Sequence, residues 1–263
     1  MRSGALFNQL TRVEAGELAR DGMIVLPVGA TEQHGPHLPV GTDTFVVEHI
    51  ARRAVADASS RIPLVVAPAL PFGSSAHHLP FGGTMSLGTE TYYRVLSDLA
   101  ESLIIGGWTR LAFVNGHGGN HELIQLVVRD LALKHQVSLI GFSYWHPSWD
   151  ALGNAGAHLV SRVPGHAGAF ETSLVMALRP ELVHEPRPHR EGNHASDPTV
   201  VVQAYRVETH GSWQQMEGYT DSPDLGRADD GERYLSTIVA ETSRVLVEFY
   251  VATGGTASEH RHD

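Results

Sequence analysis

The segment spanning residues 26–43 constrains the fold most strongly, and it reads L-P-V-G-A-T-E-Q-H-G-P-H-L-P-V-G-T-D. It continues an apolar run and carries four side chains that can bind a divalent cation: Glu32, His34, His37 and Asp43. Its prolines lack amide hydrogens and its glycines weaken regular structure, so the segment cannot be one helix. We therefore expect a strand followed by a shaped loop that presents imidazole and carboxylate groups.

Composition limits the chemistry that the chain can perform. Its 263 residues are 42% hydrophobic, which is enough for one sizeable core. Because cysteine is absent, any metal site must use nitrogen and oxygen ligands, and a cysteine nucleophile is excluded. The net charge of -10 argues against a nucleic-acid partner. No apolar run approaches the roughly 20 residues that span a bilayer. We expect a cytoplasmic protein with a small-molecule substrate and no membrane partner.

Strands and helices alternate along the sequence. Short apolar runs predict strands at residues 23–28, 64–67, 110–114 and 137–142. Helical periodicity predicts helices at residues 6–20, 45–58, 89–105, 123–134, 165–178 and 230–251. This order favours an α/β fold, a three-layer α-β-α sandwich around a mainly parallel sheet, in a single domain over residues 1–263.

Two stretches show little periodicity. Residues 181–228 are rich in Pro, His, Gly and Asp, with one short apolar run at 199–202, and we expect them to cross the surface. Residues 253–263 are small and polar, and we expect a disordered tail.

Polar clusters follow each of the four predicted strands. They are the segment 32–43, the His-rich loop 71–88, the sequence N-G-H-G-G-N around His117, and the aromatic loop 144–149. In open parallel sheets, sites form at the carboxyl ends of strands. The clusters are therefore expected to meet at one edge of the sheet.

Four of these polar residues have competing interpretations, and for Glu32 and His34 the alternative is a polar loop that faces water. Glu32 and His34 are two residues apart, so in an extended segment both side chains point the same way. Asp43, just before a helix, would by itself be read as an ordinary N-cap. His117 could be a simple turn histidine, although the flanking glycines would let the backbone approach a ligand closely.

Other candidates lie further along the chain. Glu171 lies in the apolar run A-F-E-T-S-L-V-M, where a carboxylate is costly to bury unless it is paired or bound to a cation. A helix-surface position is its alternative, and His166 shortly before it suits an acid–base role. His77 and His78 could line a pocket, although solvated loop histidines are the simpler expectation. Trp145 could cover the core or form the wall of a substrate pocket.

The combined set of carboxylates and imidazoles suits Zn²⁺, Mn²⁺ or Fe²⁺. A pair of ions that shares Asp43 is consistent with the set, and two cations can activate water and polarise a carbonyl group. That chemistry hydrolyses amides.

Four motifs occur in a characteristic order between about residues 23 and 185: LPVGATEQHGPHLPVGTD, NGHGGN, SYW and GHAGAFETSL. Together they resemble the creatininase (creatinine amidohydrolase) family, in the branch that carries NGHGGN. The resemblance implies a creatininase-like α/β fold, a binuclear metal centre and a homo-oligomer, frequently a hexamer. It implies metal-ligand roles for Glu32, His34, Asp43 and His117, with Asp43 as the bridge. It also implies that His166 transfers protons and that Trp145 covers the substrate.

The chain departs from creatininase proper at two places. Creatininase has Tyr-Glu where this chain has Gly118 and Gly119, and that Glu binds the second metal. We therefore expect Glu171 to supply the missing carboxylate and to take part in catalysis. The family's tryptophan before its histidine is Arg162 here, so creatinine is not the expected substrate. We expect Gly118, His78 and Arg162 to border the substrate, and Arg162 either recognises an anionic group or lies on the surface.

The substrate stays open among several classes. Relatives in this branch include formylamino-pyrimidine deformylases, a peptidase that matures a redox-cofactor precursor peptide, and hydrolases of keto-inositol-like rings. Our first expectation is hydrolysis of a C–N bond in a small cyclic amide or formamide by metal-activated water. Hydrolysis of a keto-sugar ring or of a precursor peptide is the alternative. A binding protein without activity fits least, because every ligand position is filled.

Overall fold

A computed structural model describes residues 4–190 and 210–258 of the chain. One parallel sheet contains five strands: β1 (Ala5–Leu6), β2 (Met23–Val28), β3 (Leu64–Val66), β4 (Arg110–Asn115) and β5 (Ser138–Ser143). Their spatial order is β1-β3-β2-β4-β5, and each neighbouring pair runs parallel. The four predicted strands are therefore confirmed, and β1 adds an edge strand that was not predicted.

Helices cover both faces of this sheet. The described residues form nine: α1 (Arg12–Ala19), α2 (Thr42–Ala58), α3 (Thr89–Ile105), α4 (His121–Lys134), α5 (Trp149–Asn154), α6 (Ala157–Val160), α7 (Ala169–Leu178), α8 (Ser212–Gln215) and α9 (Ala228–Ala252). Within residues 4–190 and 210–258, no helix combines the length and the apolar character that crossing a bilayer demands.

Alternating side chains of the strands divide the core into two layers. Ile24 and Leu26 of β2 face α1, α3 and α4, where they join the cluster that contains Tyr92. Met23 and Val25 of the same strand face α2 and α9. Because successive residues of a strand point to opposite faces, a strand that is buried along its whole length needs cover on both sides. The structure is the predicted α-β-α sandwich.

The predicted helix at residues 6–20 is wrong at its start. Ala5–Leu6 pairs with β3, residues 7–9 form a 3-10 turn, and α1 begins only after Thr11. The Thr11 hydroxyl accepts the Glu14 amide at 3.3 Å, and the Glu14 carboxylate accepts the Thr11 amide at 2.8 Å. This reciprocal capping box fixes the helix start.

The surface path expected for residues 181–228 is wrong for part of their described portion. Asp221 is fully buried, and its Oδ1 accepts the amide of Ala169 at the start of α7 at 2.7 Å. Its Oδ2 accepts the Ser161 hydroxyl at 3.0 Å. This distant segment therefore satisfies a free amide at the beginning of α7. The predicted apolar run 199–202 lies outside the described residues.

The described end of the chain contacts the body of the protein. The Ser258 amide donates to the Arg61 carbonyl at 2.9 Å, and Thr253 accepts a hydrogen bond from the Arg110 guanidinium at 3.1 Å. Residues 259–263 of the predicted tail lie outside the described part.

Candidate metal centre

The first turn of α2 places Asp43 between the ends of β2 and β4. The N-cap of α2 is Gly41, and no side chain caps the helix, so the N-cap interpretation of Asp43 is wrong. A Cβ at Gly29 would lie 2.8 Å from the Thr44 nitrogen, and one at Gly116 would lie 2.8 Å from Val47 Cβ. Because Gly29 and Gly116 have no side chain, α2 can approach both strand ends closely.

Two asparagines fix the loop that carries His117. Asn115 Nδ2 donates to the His117 carbonyl at 2.6 Å, and its Oδ1 accepts the His117 amide at 3.1 Å. Asn120 Nδ2 donates to the Gly29 carbonyl at 3.0 Å, while its Oδ1 accepts the Ser74 amide at 3.0 Å. The N-G-H-G-G-N motif therefore joins the loops that follow β2, β3 and β4, and it aims the imidazole.

A first set of three donors consists of Glu32, Asp43 and His117. His117 Nε2 lies 3.2 Å from the Ser74 carbonyl, which can only accept, so this nitrogen carries the proton. Its Nδ1 faces Glu32 Oε1 at 3.2 Å and Asp43 Oδ2 at 3.1 Å. Both Glu32 oxygens and Asp43 Oδ2 are buried and accept no hydrogen bond from the described residues. Buried electron-pair donors that face one another require a cation or a proton between them.

A second set consists of His34, Asp43 and Glu171. His34 Nδ1 donates to the Glu32 carbonyl at 3.1 Å, so its Nε2 is directed at Asp43 Oδ1, 3.1 Å away, and at Glu171 Oε2, 3.7 Å away. The ligand atoms of this set lie within 4.8 Å of one another. Zn–ligand bonds of about 2.0–2.2 Å separate tetrahedral ligands by roughly 3.3–3.6 Å. The second set therefore has the spacing that one cation needs. In the first set, His117 Nδ1 lies within 3.2 Å of an oxygen of Glu32 and of Asp43, so a cation beside it would meet both carboxylates, and Asp43 is common to both sets.

The same positions attract protons when no cation is bound. Burial disfavours the charged form of His34, but the carboxylates of Asp43, Glu171 and Glu32 together outweigh burial and raise the pKa of His34 to about 10. Burial likewise disfavours charge on His117, yet Glu32 and Asp43 keep the pKa of His117 well above its ordinary value. Burial raises the pKa of Glu171 to about 8. Cation binding therefore competes with protons.

Gly119 has no space for a side chain. A Cβ there would overlap the Ser74 carbonyl oxygen and lie 2.6 Å from His117 Nε2. A carboxylate therefore cannot reach the second set from this position. Glu171 reaches it from the first turn of α7, where the Ala167 amide holds its Oε2 at 2.6 Å.

Two imidazoles line the Glu32 side of the centre. His78 is only 1% exposed, so the expectation of a solvated histidine is wrong; it lies in a 3-10 helix at Ala76–Phe81 within the predicted loop. His78 Nε2 and His166 Nδ1 each lie 3.6 Å from Glu32 Oε1. Their rings stack with centroids 4.1 Å apart.

Gln33 organises this region, and the sequence analysis missed it. Its Nε2 donates to His78 Nδ1 at 2.9 Å and to the Gly218 carbonyl at 3.0 Å, and its Oε1 accepts the Gly35 amide at 2.9 Å. Its carbonyl oxygen lies 2.9 Å from His166 Nε2. Because a carbonyl only accepts, His166 is protonated on Nε2, and its Nδ1 is a proton acceptor beside Glu32. The only signal for Gln33 was its place in E-Q-H.

Trp213 of α8 was also missed. Its ring centroid lies 4.6 Å from His78, 5.3 Å from His166 and 5.4 Å from His77. It belongs to the segment that was expected to cross the surface, and no periodic pattern marks it.

The remaining predicted residues lie outside both donor sets. Trp145 is 5% exposed and belongs to an apolar cluster with residues of α2, α7 and α9. The Arg162 amide donates to buried Asp221 at 3.1 Å. Gly118 is exposed and begins a 3-10 turn. His37 is buried, with Nε2 2.9 Å from the Thr172 hydroxyl. The substrate-binding roles of Trp145, Arg162 and Gly118 stay predictions.

Known proteins of one family are similar to this chain along most of its length. The profile of the creatininase family, described as creatinine amidohydrolase, matches residues 8–246. The mycofactocin precursor peptide peptidase of Mycobacterium tuberculosis is 33% identical over 231 residues, covering 84% of this chain and 83% of that protein. The alignment with the peptidase of Mycobacterium ulcerans, at 36% identity, covers 61% of this chain and 60% of that protein.

Creatininases are similar in sequence and in structure. The creatinine amidohydrolase of Pseudomonas putida is 32% identical over 65% of this chain and 69% of that protein. A crystal structure of creatinine amidohydrolase superimposes with a TM-score of 0.75 at 25% identity, covering 94% of this chain and 98% of that one. The chain belongs to the creatininase family of C–N bond hydrolases.

Proposed function

We propose that the protein is a metal-dependent amidohydrolase with two divalent cations that share Asp43. The observation that carries this proposal is the pair of buried donor sets, in which ring nitrogens of His34 and His117 face oxygens of three carboxylates at 3.1–3.7 Å. Three carboxylates bring three negative charges into a buried site, and two divalent cations compensate them.

The donor chemistry limits which cations fit. Nitrogen and oxygen ligands suit Zn²⁺, Mn²⁺ and Fe²⁺. Glu32, Asp43 and His117 would hold one ion, and His34, Asp43 and Glu171 the other. Similar solved structures include "Creatininase Mn" and an "E122Q mutant creatininase, Zn-Zn type". When bound, such ions polarise a carbonyl group and make water a stronger nucleophile at neutral pH.

His166 is the residue that we assign to proton transfer. Its Nδ1 faces the first donor set, and the Gln33 carbonyl holds its proton on Nε2. Burial and the neighbouring imidazoles lower the pKa of His166 well below its ordinary value, so the ring is neutral and can accept a proton at Nδ1. The proton is then available for the nitrogen that leaves when the amide bond breaks.

Two substrate classes have support: the amide bond of a peptide, and a small cyclic amide or formamide. The peptide now ranks first, whereas the sequence alone favoured the small amide. Identity of 33% over 84% of the chain with a precursor-peptide peptidase favours the amide bond of a short peptide. A cleft of about 420 Å³ beside Gln33, lined by Phe81 and Tyr219 among others, is large enough for such a ligand. A small cyclic amide or formamide is the second candidate, on the strength of the similarity to creatinine amidohydrolase.

A hydrolase of keto-inositol rings is the remaining alternative. A 3-dehydro-scyllo-inosose hydrolase of Thermotoga maritima is 28% identical over 70% of this chain. A keto-inositol in the substrate panel would test this ring hydrolysis beside amide hydrolysis.

The test combines metal analysis with a substrate panel. We expect about two ions of Zn, Mn or Fe per chain in the purified protein and hydrolysis of a short peptide amide or a cyclic amide. Chelation should abolish hydrolysis, and addition of Zn²⁺ or Mn²⁺ should restore it. Full activity of exhaustively metal-free protein would contradict the proposal.

We also infer a cytoplasmic homo-oligomer, with a hexamer as the first expectation. The support is family membership alone. Light scattering of the purified protein would measure the assembly, and a monomeric mass would contradict this inference.

A further inference from the structure

Trp213 packs against imidazoles instead of against an apolar core. The described residues form four apolar clusters, and Trp213 belongs to none of them. Its three aromatic neighbours His77, His78 and His166 all lie next to the metal-centre candidates. His78 and His166 each approach Glu32 to 3.6 Å, and the ring of His77 stacks on that of His117 at 5.8 Å.

Hydrogen bonds through Gly218 connect the backbone of Trp213 to the buried side chain of Gln33. The Gly218 amide donates to the Trp213 carbonyl at 3.1 Å, and the Gly218 carbonyl accepts from Gln33 Nε2 at 3.0 Å. Gly211, directly before α8, has a φ of 78°, which favours glycine and directs the chain into this short helix. A helix of four residues is not stable by itself, so these contacts hold Trp213 in place.

The indole is half-buried, so part of its surface is available beside the centre. The cleft lined by Phe81 and Tyr219 adjoins Gln33, whose amide contacts His78. The partly exposed indole therefore offers an apolar surface beside the imidazoles of His78 and His166.

We propose that Trp213 is a specificity-determining residue that contacts the substrate and selects an aromatic or bulky apolar group next to the scissile amide. This inference rests on the proposed metal-dependent hydrolysis, because it places the reacting amide at the two donor sets. In a peptide substrate the selected group would be the side chain beside the cleaved bond.

Two hydroxamates test this assignment without turnover. Acetohydroxamic and benzohydroxamic acid present the same metal-binding group, but the first carries a methyl group and the second a phenyl group. We would measure the dissociation constant of each by calorimetry with zinc-loaded protein. Aromatic pairs add about 0.5–1.5 kcal/mol, so the preference for the phenyl compound should fall by about 2–12-fold in Trp213→Ala. Trp213→Phe should keep most of the preference.

The control is Trp149→Ala. Trp149 is also half-buried and packs against a histidine, His158, at 4.3 Å, but it lies outside the donor sets. This variant should keep the wild-type preference.

The outcomes separate the inference from the function on which it rests. Failure of both hydroxamates to bind wild-type protein would overturn the metal centre and the inference together. Tight binding of both compounds with an unchanged phenyl preference in folded Trp213→Ala would leave the metal centre standing and overturn the role of Trp213. Circular dichroism establishes that each variant is folded.

Discussion

Glu171 Oε2 lies 3.7 Å from His34 Nε2, although the two residues are far apart in the sequence. His34 lies in the loop after β2, and Glu171 lies in the first turn of α7. This contact completes the second donor set, and it predicts the effect of removing one charge. In Glu171→Gln, we expect metal content to fall from about two ions to about one per chain. Loss of a residue that only supports a metal ligand typically costs about 10–100-fold in activity, so loss of a ligand itself should reduce activity by about 100-fold.

Metal analysis and initial rates measure these effects. The control is Glu181→Gln, which removes an exposed carboxylate paired with Arg179 at 2.6 Å and should keep both ions. Two retained ions with unchanged activity in Glu171→Gln would exclude Glu171 as a ligand.

Asp43 contributes one oxygen to each donor set, so its removal should be more severe. In Asp43→Asn we expect loss of both ions and of measurable turnover, while the far-UV circular dichroism is retained. His117→Ala should also abolish turnover in folded protein. Asp57→Asn is the matched control, because Asp57 is an exposed carboxylate on the same helix. An Asp43→Asn protein that keeps two ions would contradict the shared-ligand arrangement.

Cation binding should release protons at neutral pH. The pKa of His34 is raised to about 10 and that of Glu171 to about 8, so both groups hold protons at pH 7 in metal-free protein. A raised pKa means that the proton is bound below it, and the cation must displace that proton; apparent metal affinity should therefore increase as pH rises from 6 to 8. The pKa of His117 is also well above its ordinary value, so calorimetry in buffers of different ionisation enthalpy should report roughly three protons released per chain. Release of none would contradict this prediction.

Gly118 and Gly119 form a natural pair for a stability test. A Cβ at Gly119 would overlap the Ser74 carbonyl, whereas the space around Gly118 is open. Overpacking typically costs about 1–3 kcal/mol, which corresponds to a drop in Tm of roughly 2–12 °C for a chain of this size. Gly119→Ala should show this loss in metal-free protein by calorimetry, and Gly118→Ala should not. Equal Tm values would show that the loop at Ser74 shifts without cost.

The sequence specified much of the fold because the strands are short apolar runs bounded by turn residues. Met23–Val28 is buried along its whole length, and such runs are typical of sheets covered on both faces. The edge strand Ala5–Leu6 could not be found, since two residues carry no periodic pattern and their pairing with β3 is a tertiary contact. The same reasoning brought Glu32, His34 and Asp43 to one edge of the sheet.

Contacts made by single side chains across the fold were beyond the sequence analysis. Asp221 stabilises the start of α7 from a segment without periodicity. Gln33 and Trp213 act through neighbours that lie far from them in sequence, so their surroundings exist only in the folded chain. His78 was read as solvated because its loop is polar, and its burial follows from the 3-10 helix that turns it inward.

The amide of Gln33 connects the metal-binding loop, His78 and the segment that carries Trp213. Movement of residues 213–218 as a unit away from the centre would break the buried hydrogen bond between Gln33 and the Gly218 carbonyl and so disturb the amide that contacts His78. Opening of the site and disordering of its imidazoles are therefore thermodynamically coupled: a ligand that holds Trp213 in place also favours the arrangement of the residues that face the reaction.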